Sequence, residues 1–234
     1  MEMIGRIESI HRFPVKSMAG ERCATTDVTF QGIPGDRMYA FVQAESQSPF
    51  PWLTGRELPS MVFHQPEFTA EERPRLLVRM PTGEVHAIGS EELREELEKA
   101  SGRRVHLLTN YRGSFDVAPV TLMAHATVDA IARESGTASD PMRFRMNFYI
   151  DTGNETPFAE NAWVGRVVRI GAVVRVAVTE RDKRCVMTTL DYPTSSGSPR
   201  VLRAIAELNE ANAGVYGAVI TPGAVNEGDE VWLE

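Results

Sequence analysis

The sequence is poor in the features that mark secreted and membrane proteins. Its 234 residues contain only two cysteines, Cys23 and Cys185, which is too few for a disulfide framework. No apolar run approaches the roughly 18 residues that a membrane-spanning helix needs. The N-terminal residues are too polar for the apolar core of a secretory signal. We therefore expect a soluble, cytoplasmic protein with reduced thiols and no membrane contact.

The common motifs of cofactor-binding and hydrolytic enzymes are missing too. The chain has neither a Walker-type nor a dinucleotide-type glycine-rich loop. It has no CxxC or HExxH metal spacing and no GxSxG nucleophile motif. A net charge of −7 argues against a general nucleic-acid binder. Any anion site must therefore be a local cluster of cations.

Strand-like patterns dominate the chain, and about three helical patterns interrupt them. Residues 4–10, 23–30, 38–42 and 61–64 are among the predicted strands, and turn residues separate them. A chain that mixes short strands and occasional helices in this way is α+β and rich in β-barrel structure, not a regular βαβ repeat. Residues 109–117 have the composition of a connection between two halves.

Two helices carry recognisable end signals. The first is predicted from Ser90, an N-cap residue, to Ala100, with Gly102 as its stop. The second follows a short strand at residues 120–124 and ends before Gly136, with His125 and Thr127 as candidate caps. A third helix is predicted to start at residues 198–199, where serine precedes proline.

A polar stripe is predicted between residues 141 and 150. Strict alternation over this stretch predicts one strand with Arg143, Arg145 and Asn147 on one face. Two guanidiniums and an amide on one face are suited to binding an anion or a heterocycle. The same pattern is equally typical of a solvent-facing barrel strand.

Cys185 lies within a dense group of cations, Arg181, Lys183 and Arg184. Neighbouring positive charges favour the thiolate, which is both a nucleophile and a ligand for soft metals. The alternative is a small inert cysteine in the core, but an apolar core does not accept three adjacent cations. A single thiolate in an anion site is suited to ligating a metal carried by an anionic cofactor, or to carrying sulfur as a persulfide.

Further candidates lie in loops that follow predicted strands. Lys16 and Ser17 follow Pro14, and Arg37 follows Asp36 at the mouth of a strand. Their side chains are placed to reach a ligand, although solvated turns have the same composition.

Taken in order, these segments resemble the MOSC family (molybdenum cofactor sulfurase C-terminal domain), which includes the mitochondrial amidoxime-reducing component and bacterial relatives. The first half of the resemblance comprises residues 10–20 and Gly35-Asp36-Arg37. The second half comprises residues 144–147, Arg184-Cys185, residues 188–191 and residues 225–231. The resemblance implies an N-terminal MOSC β-barrel domain at residues 1–115 and a MOSC domain at residues 116–234.

The resemblance also implies a cofactor and the residues that hold it. A molybdenum cofactor of the molybdopterin type is expected between the two halves. Cys185 would ligate molybdenum, and Asp191 would lie near the metal and relay protons. The expected cofactor-binding residues are Lys16, Ser17, Arg37, Arg145, Asn147, Lys183 and Arg184.

The activity implied is reduction of N-hydroxylated or N-oxygenated small molecules. The chain carries no four-cysteine ferredoxin tail, so a reductase would take electrons from a separate ferredoxin-type or cytochrome-type protein. The alternative is a molybdenum cofactor carrier, or a sulfur-relay protein with a persulfide on Cys185, in either case without turnover.

Overall fold

The structure of the protein, a computed structural model, describes residues 1–113, 115, 117–191 and 197–234. The strands are β1 (Glu2–Arg12), β2 (Glu21–Cys23), β3 (Thr25–Val28), β4 (Tyr39–Gln43), β5 (Gln65–Phe68), β6 (Leu76–Arg79), β7 (Val85–Ala87), β8 (Val105–Thr109), β9 (Val120–Ala124), β10 (Phe148–Asp151), β11 (Val167–Ile170), β12 (Val174–Lys183), β13 (Asn212–Thr221), β14 (Gly223–Asn226) and β15 (Glu230–Leu233). The α-helices are α1 (Glu91–Ser101), α2 (His125–Ser135) and α3 (Pro199–Asn209). Short 3₁₀ helices lie at Pro59–Phe63, Pro141–Arg143, Ala159–Trp163 and Val186–Thr189. This content confirms the predicted α+β, barrel-rich class.

Seven strands close into a barrel in the order β10, β9, β13, β12, β11, β15, β1, and β1 returns to β10. The 11 residues of β1 make this closure possible, because its start pairs with β15 and its end with β10. Gly5 lies opposite Val231, and Ile7 lies opposite Ile150. A side chain at Gly5 would place its Cβ only 2.2 Å from the carbonyl oxygen of Asp151. Glycine is therefore required where β1 passes between its two partners.

The strand that closes the barrel comes from the first half of the chain. Ile7 and Ile10 of β1 are buried in the same apolar cluster as Leu122, Ile150 and Val176 from later strands. The core of the barrel is thus shared by both halves. Residue 116, the predicted start of the second domain, lies outside the described residues, and the division at 115/116 stays a prediction.

A second core lies in the first half. The pair β4–β8, the three-stranded sheet β5–β6–β7 and helix α1 surround it. Phe41, Leu53, Leu93 and Leu97 are fully or almost fully buried there. Within the described ranges, no helix is long and apolar enough to cross a membrane.

Helix α1 has the ends that its sequence predicts. The side chain of Ser90 accepts a hydrogen bond from the Leu93 amide at 3.2 Å, so it is the N-cap. Gly102 ends the helix in the left-handed conformation, with φ +67°. Both predictions are confirmed because capping depends only on neighbouring residues.

The predicted single strand at residues 141–150 is wrong. Residues 141–143 form a 3₁₀ helix, and only Phe148–Asp151 is a strand. The Asp140 carboxylate accepts from the Met142 amide at 2.9 Å, and the hydroxyl of Tyr149 donates to the carbonyl of Pro141. Arg143 does not share a face with Arg145, because it is buried and donates to two carbonyls after Cys185, those of Thr188 and Leu190.

Two shorter strand predictions also fail. Residues 61–64 lie mostly in the 3₁₀ helix Pro59–Phe63, where proline occupies a first-turn position that needs no donor. The predicted strand at residues 23–30 is divided into β2 and β3, because β2 pairs with β1 whereas β3 pairs with β14. The alternation of side chains gives no information about such a change of partner.

Helix α2 starts without a side-chain cap of its own. Its N-cap is Ala124, so the prediction that His125 and Thr127 cap it is wrong. The buried Glu160 carboxylate lies beside the first turn of α2 instead. It accepts hydrogen bonds from the Thr127 hydroxyl at 3.0 Å and from the Gly214 amide at 3.1 Å. Burial raises the pKa of Glu160 from 4.5 to about 7, and these hydrogen bonds only partly oppose the shift.

Glu160→Gln should remove a pH dependence of folding. The folded protein retains the Glu160 proton up to about pH 7, whereas the unfolded chain loses it near pH 4.5. Wild-type stability from this group is therefore present below pH 4.5 and is lost as pH rises through 7, by roughly 3 kcal/mol in total. In urea unfolding from pH 4.5 to 8, the free energy of unfolding of the variant should increase relative to that of wild type as pH rises. The control, Glu95→Gln on the exposed face of α1, should follow wild type, and a variant curve parallel to wild type would contradict the assignment.

Candidate functional site

A cleft of about 830 Å³, open to solvent, lies where loops of the first half meet the ends of barrel strands. Eight of the nine predicted site residues line it: Lys16, Ser17, Arg37, Arg145, Asn147, Lys183, Arg184 and Cys185. Its other lining residues are Phe50, Thr54, Arg56, Phe115, Ala118, Thr121, Phe144, Asp182, Met187 and Tyr216.

Arg37 joins the two halves on one side of the cleft. Its Nη1 lies 2.5 Å from the Asp36 carboxylate, whose side chain is 0% exposed. Its Nη2 donates to the backbone carbonyl of Arg145 at 2.6 Å. The same Asp36 accepts from the Phe13 amide at 2.7 Å. The guanidinium is thus fixed by a buried partner of opposite charge and by the neighbouring segment.

Arg184 repeats this arrangement from the end of β12. Its Nη1 pairs with the carboxylate of Asp182, and its Nη2 donates to the carbonyl of Phe144 at 2.6 Å. Both side chains are less than 10% exposed, at 9% and 8%. The Arg184 Nε is buried and has no hydrogen-bond partner among the described residues. A buried donor of this kind is suited to an acceptor on a ligand.

Asn147 organises the floor of the cleft through its amide. Its Nδ2 donates to the His11 carbonyl and to Asp36, both at 3.2 Å. Its Oδ1 accepts from the amide and the hydroxyl of Thr121 at 3.1 and 3.0 Å. The side chain is 1% exposed. These contacts occupy the N–H donors of the Asn147 side-chain amide and its acceptor oxygen. Asn147 therefore contributes mainly by positioning its neighbours.

Arg145 lies against the ring of Phe13. Its Cζ is 4.4 Å from the ring centroid, and the Cζ of Arg37 is 5.0 Å from the same centroid. Its Nη1 donates to the carbonyl of Met18 at 2.6 Å. One buried aromatic ring therefore supports two guanidiniums of like charge.

Lys16 is placed by aromatic contacts. It is only 8% exposed, and its Nζ lies 5.4 Å from the ring centroid of Phe50 and 5.8 Å from that of Trp52. Its backbone amide donates to the carbonyl of Tyr39 at 2.9 Å. Ser17 follows it in the left-handed conformation, with φ +67°.

Three of the six described non-glycine residues with positive φ lie at the cleft, and the other three, Phe158, Glu210 and Ala211, lie elsewhere. Among the described non-glycine residues with positive φ are Ser17, Arg37 at +46° and Arg145 at +57°. Each such residue costs free energy that surrounding contacts must offset, and strained residues cluster at functional sites. All three also line the cleft.

Cys185 lies between β12 and the 3₁₀ helix Val186–Thr189. The thiol is half-buried at the cleft, and the Cys185 carbonyl accepts from the amide and the hydroxyl of Thr188 at 3.1 and 2.8 Å. Cys23 is separate on β2, where burial raises the pKa of its thiol. Both cysteines are free.

Asp191 is the predicted site residue that does not line the cleft. Its carboxylate lies 3.7 Å from Nη2 of the buried Arg143, and the residue is two positions after the end of the 3₁₀ helix Val186–Thr189. Its predicted role in proton relay stays a prediction.

The loop of residues 50–56 was missed by sequence reasoning. It contributes Phe50, Thr54 and Arg56 to the cleft wall. The available signal was an aromatic residue between two prolines, Pro49-Phe50-Pro51. Aromatic residues in fixed, partly exposed loops are frequent in binding sites.

The charge of the cleft lining is positive, whereas the net charge of the whole chain is negative. Six of its lining side chains are cationic, and one is acidic, whereas the protein carries a net charge of −7. The described residues contain no group of three or more His, Cys, Asp or Glu that would hold a metal ion. The arrangement therefore suits an anionic ligand, with one thiol at its wall.

Family comparison gives two matches that together span most of the chain. The profile of the MOSC domain matches residues 105–232. The profile of the MOSC N-terminal beta barrel domain matches residues 4–120. No curated protein gives a significant sequence match.

Solved structures give matches in fold at low sequence identity. The YuaD protein from Bacillus subtilis is 14% identical, with a TM-score of 0.54 over 98% of this chain and 94% of that one. YiiM from Geobacillus stearothermophilus is 15% identical, with a TM-score of 0.40 over 50% and 54% of the two chains. YiiM from Escherichia coli is 17% identical, with a TM-score of 0.37 over 50% and 54%. At these identities the likeness to YuaD indicates a shared fold.

Asp36→Ala should destabilise the protein strongly. It leaves the Arg37 guanidinium, 15% exposed, without its buried carboxylate, and removes acceptors from Phe13 and Asn147. Breaking a buried pair by removing one partner costs about 3 kcal/mol or more. Urea unfolding at pH 7 measures this. The control is Asp27→Ala at an exposed position of β3, for which a change under about 0.5 kcal/mol is expected. Equal losses in the free energy of unfolding for the two substitutions would contradict the role of Asp36 as the buried partner of Arg37.

Proposed function

The chain belongs to the MOSC domain family, with a MOSC N-terminal β-barrel domain in its first half, and we propose that it is a molybdenum-cofactor oxidoreductase that reduces N-hydroxylated or N-oxygenated small molecules. The family is associated with binding of the molybdenum cofactor. The observation that carries the proposal is the convergence of Cys185 with six cationic side chains in one cleft. These residues come from five separate segments of the chain, between residues 16 and 185.

The residues present fit an anionic, heterocyclic cofactor with a metal. Its phosphate and pterin would be held by Lys16, Ser17, Arg37, Arg145, Lys183 and Arg184, which line the cleft. The buried Nε of Arg184 provides a donor for one of its acceptors. Asn147 would act indirectly, by holding Asp36 in place for Arg37.

Cys185 is the residue that would ligate molybdenum. Thiolates favour soft metals, and its half-buried thiol is at the cleft wall. Burial raises the pKa of Cys23, the other thiol, and it lies away from the cleft lining. Cys23 therefore provides an internal control for any test of Cys185.

The proposed reaction breaks one N–O bond. It consumes two electrons and two protons, converts the N-hydroxyl compound to its reduced form and releases water. When bound, the cofactor supplies the two-electron redox chemistry. The electrons would come from a separate donor protein of the ferredoxin or cytochrome type. The chain itself would bind the cofactor, place the substrate beside Cys185 and admit protons through the open mouth of the cleft.

Metal content tests the site. Wild-type protein from a host that makes the cofactor should contain about one molybdenum per chain, and Cys185→Ala should lose it. Arg145→Ala should lower the content several-fold, because it removes charge-assisted contacts. The control Cys23→Ala should keep the wild-type content. Molybdenum retained by both Cys185→Ala and Arg145→Ala would show that the cleft is not the cofactor site.

Turnover separates an enzyme from a carrier. We expect loaded wild-type protein to reduce benzamidoxime with an artificial electron donor, and Cys185→Ala to have no activity. Loaded protein without turnover would favour a cofactor carrier. A mass increase of one sulfur atom on Cys185, again without turnover, would favour sulfur relay through a persulfide.

A further inference from the structure

We infer that Arg143 is a positioning residue for the thiol of Cys185. It fixes the backbone turn that follows the cysteine and thereby sets where the sulfur lies at the cleft wall. Arg143 is not among the residues that line the cleft, so it would act through Cys185 and not by touching a ligand. The inference rests on the proposed function in one respect, that Cys185 is the metal ligand whose position matters.

The turn after Cys185 is a single short 3₁₀ helix, Val186–Thr189. Cys185 is its N-cap and gives it no side-chain hydrogen bond. The amide and the hydroxyl of Thr188 both donate to the Cys185 carbonyl, at 3.1 and 2.8 Å. A helix of one turn leaves its last carbonyls without partners inside the helix, and it depends on contacts from outside. The position of Cys185 therefore depends on what holds Thr188.

Arg143 provides such contacts from the protein interior. It is only 3% exposed, and its Nη1 donates to the carbonyls of Thr188 at 3.1 Å and Leu190 at 2.9 Å. Its Nη2 lies 3.7 Å from the Asp191 carboxylate, which offsets the buried positive charge. Thr188 is 0% exposed, so bulk water cannot replace the donor that its carbonyl receives from Arg143. The planar guanidinium thus holds both ends of residues 188–191 in one geometry.

Two arginines hold the cysteine from both sides. Arg184, directly before Cys185, donates to the carbonyl of Phe144 at 2.6 Å. Arg143, directly before Phe144, donates in the other direction to the segment after the cysteine. The two segments therefore hold each other through guanidinium–carbonyl contacts that lie before and after the thiol. Loss of Arg143 would release only the later contact.

A precise position matters more for a metal ligand than for a free thiol. A ligating side chain must be held to within about 0.5 Å of its productive geometry. Groups that orient a ligand affect the metal site strongly even though they do not touch the metal. Since the thiol of Cys185 is only half-buried, the backbone on either side is what fixes it at the cleft wall. We therefore expect Arg143 to control the reactivity of this thiol.

Thiol reactivity of the full-length, metal-free protein tests the inference without requiring the proposed activity. Alkylation by iodoacetamide, followed by mass spectrometry, gives separate rates for Cys185 and Cys23 in the same sample. Cys23 is also half-buried, on β2. A general loosening of the fold raises both rates, whereas a local release raises the ratio of the Cys185 rate to the Cys23 rate. Arg143→Met should raise this ratio about tenfold, the size expected when hydrogen bonds from a charged donor are lost.

Arg143→Lys is the conservative variant. Lysine keeps the charge but lacks the planar fork that reaches two carbonyls, so the ratio should rise by only about threefold. The control is Leu93→Ala in the second core, which should lower the free energy of unfolding and leave the ratio unchanged. A wild-type ratio in both Arg143 variants, or an equal rise in the control, would overturn the inference. If Arg143→Met does not fold, an unchanged ratio in Arg143→Lys is sufficient to overturn it.

Molybdenum-loaded protein separates this inference from the proposed activity. With benzamidoxime, Arg143→Lys should lower kcat severalfold and keep the wild-type KM, because the contacts to the substrate are unchanged. A raised KM with unchanged kcat would overturn the inference by assigning Arg143 to substrate binding. If loaded wild type reduces nothing but the alkylation ratios are as expected, the proposed activity fails and the positioning role stands. If wild type is active and the ratios do not change, the positioning role alone fails.

Discussion

Two arginines, one from each half of the chain, hold the segment that shapes the cleft. Arg37 and Arg184 donate to the consecutive carbonyls of Arg145 and Phe144. Between these contacts the chain passes through the left-handed conformation at Arg145, with φ +57°. Residues 144–147 therefore form the floor of a site and not a continuation of β10. The position of each arginine depends in turn on its own buried aspartate.

This arrangement explains how an acidic protein maintains a cationic cavity. Like charges in a confined space repel, and burial removes the water that would weaken the repulsion. Asp36 and Asp182 offset two of the charges, and Phe13 and Phe50 provide ring faces for others. The remaining positive potential favours an anionic ligand. The strain at three left-handed residues is consistent with a cavity shaped for binding.

The two halves depend on each other at both the core and the site. Strand β1 closes the barrel, and the loop directly after it supplies Lys16 and Ser17 to the cleft. The loop at Gly55 packs on Met187, so the first half also bears on the segment that carries Cys185. A substitution that shifts one half should thus alter both stability and ligand binding.

The sequence by itself determined what depends on neighbouring residues. The cap at Ser90, the barrel-rich class and the cationic setting of Cys185 were all predictable, because capping, side-chain alternation and local charge are short-range properties. Only the tertiary structure decided which donors a ligand can use. Asn147 has its amide bound by protein groups, and Arg56 reaches the cleft through a loop with no regular pattern. Such outcomes depend on contacts between residues far apart in the chain, 136 positions for Asn147 and His11, about which local periodicity carries no information.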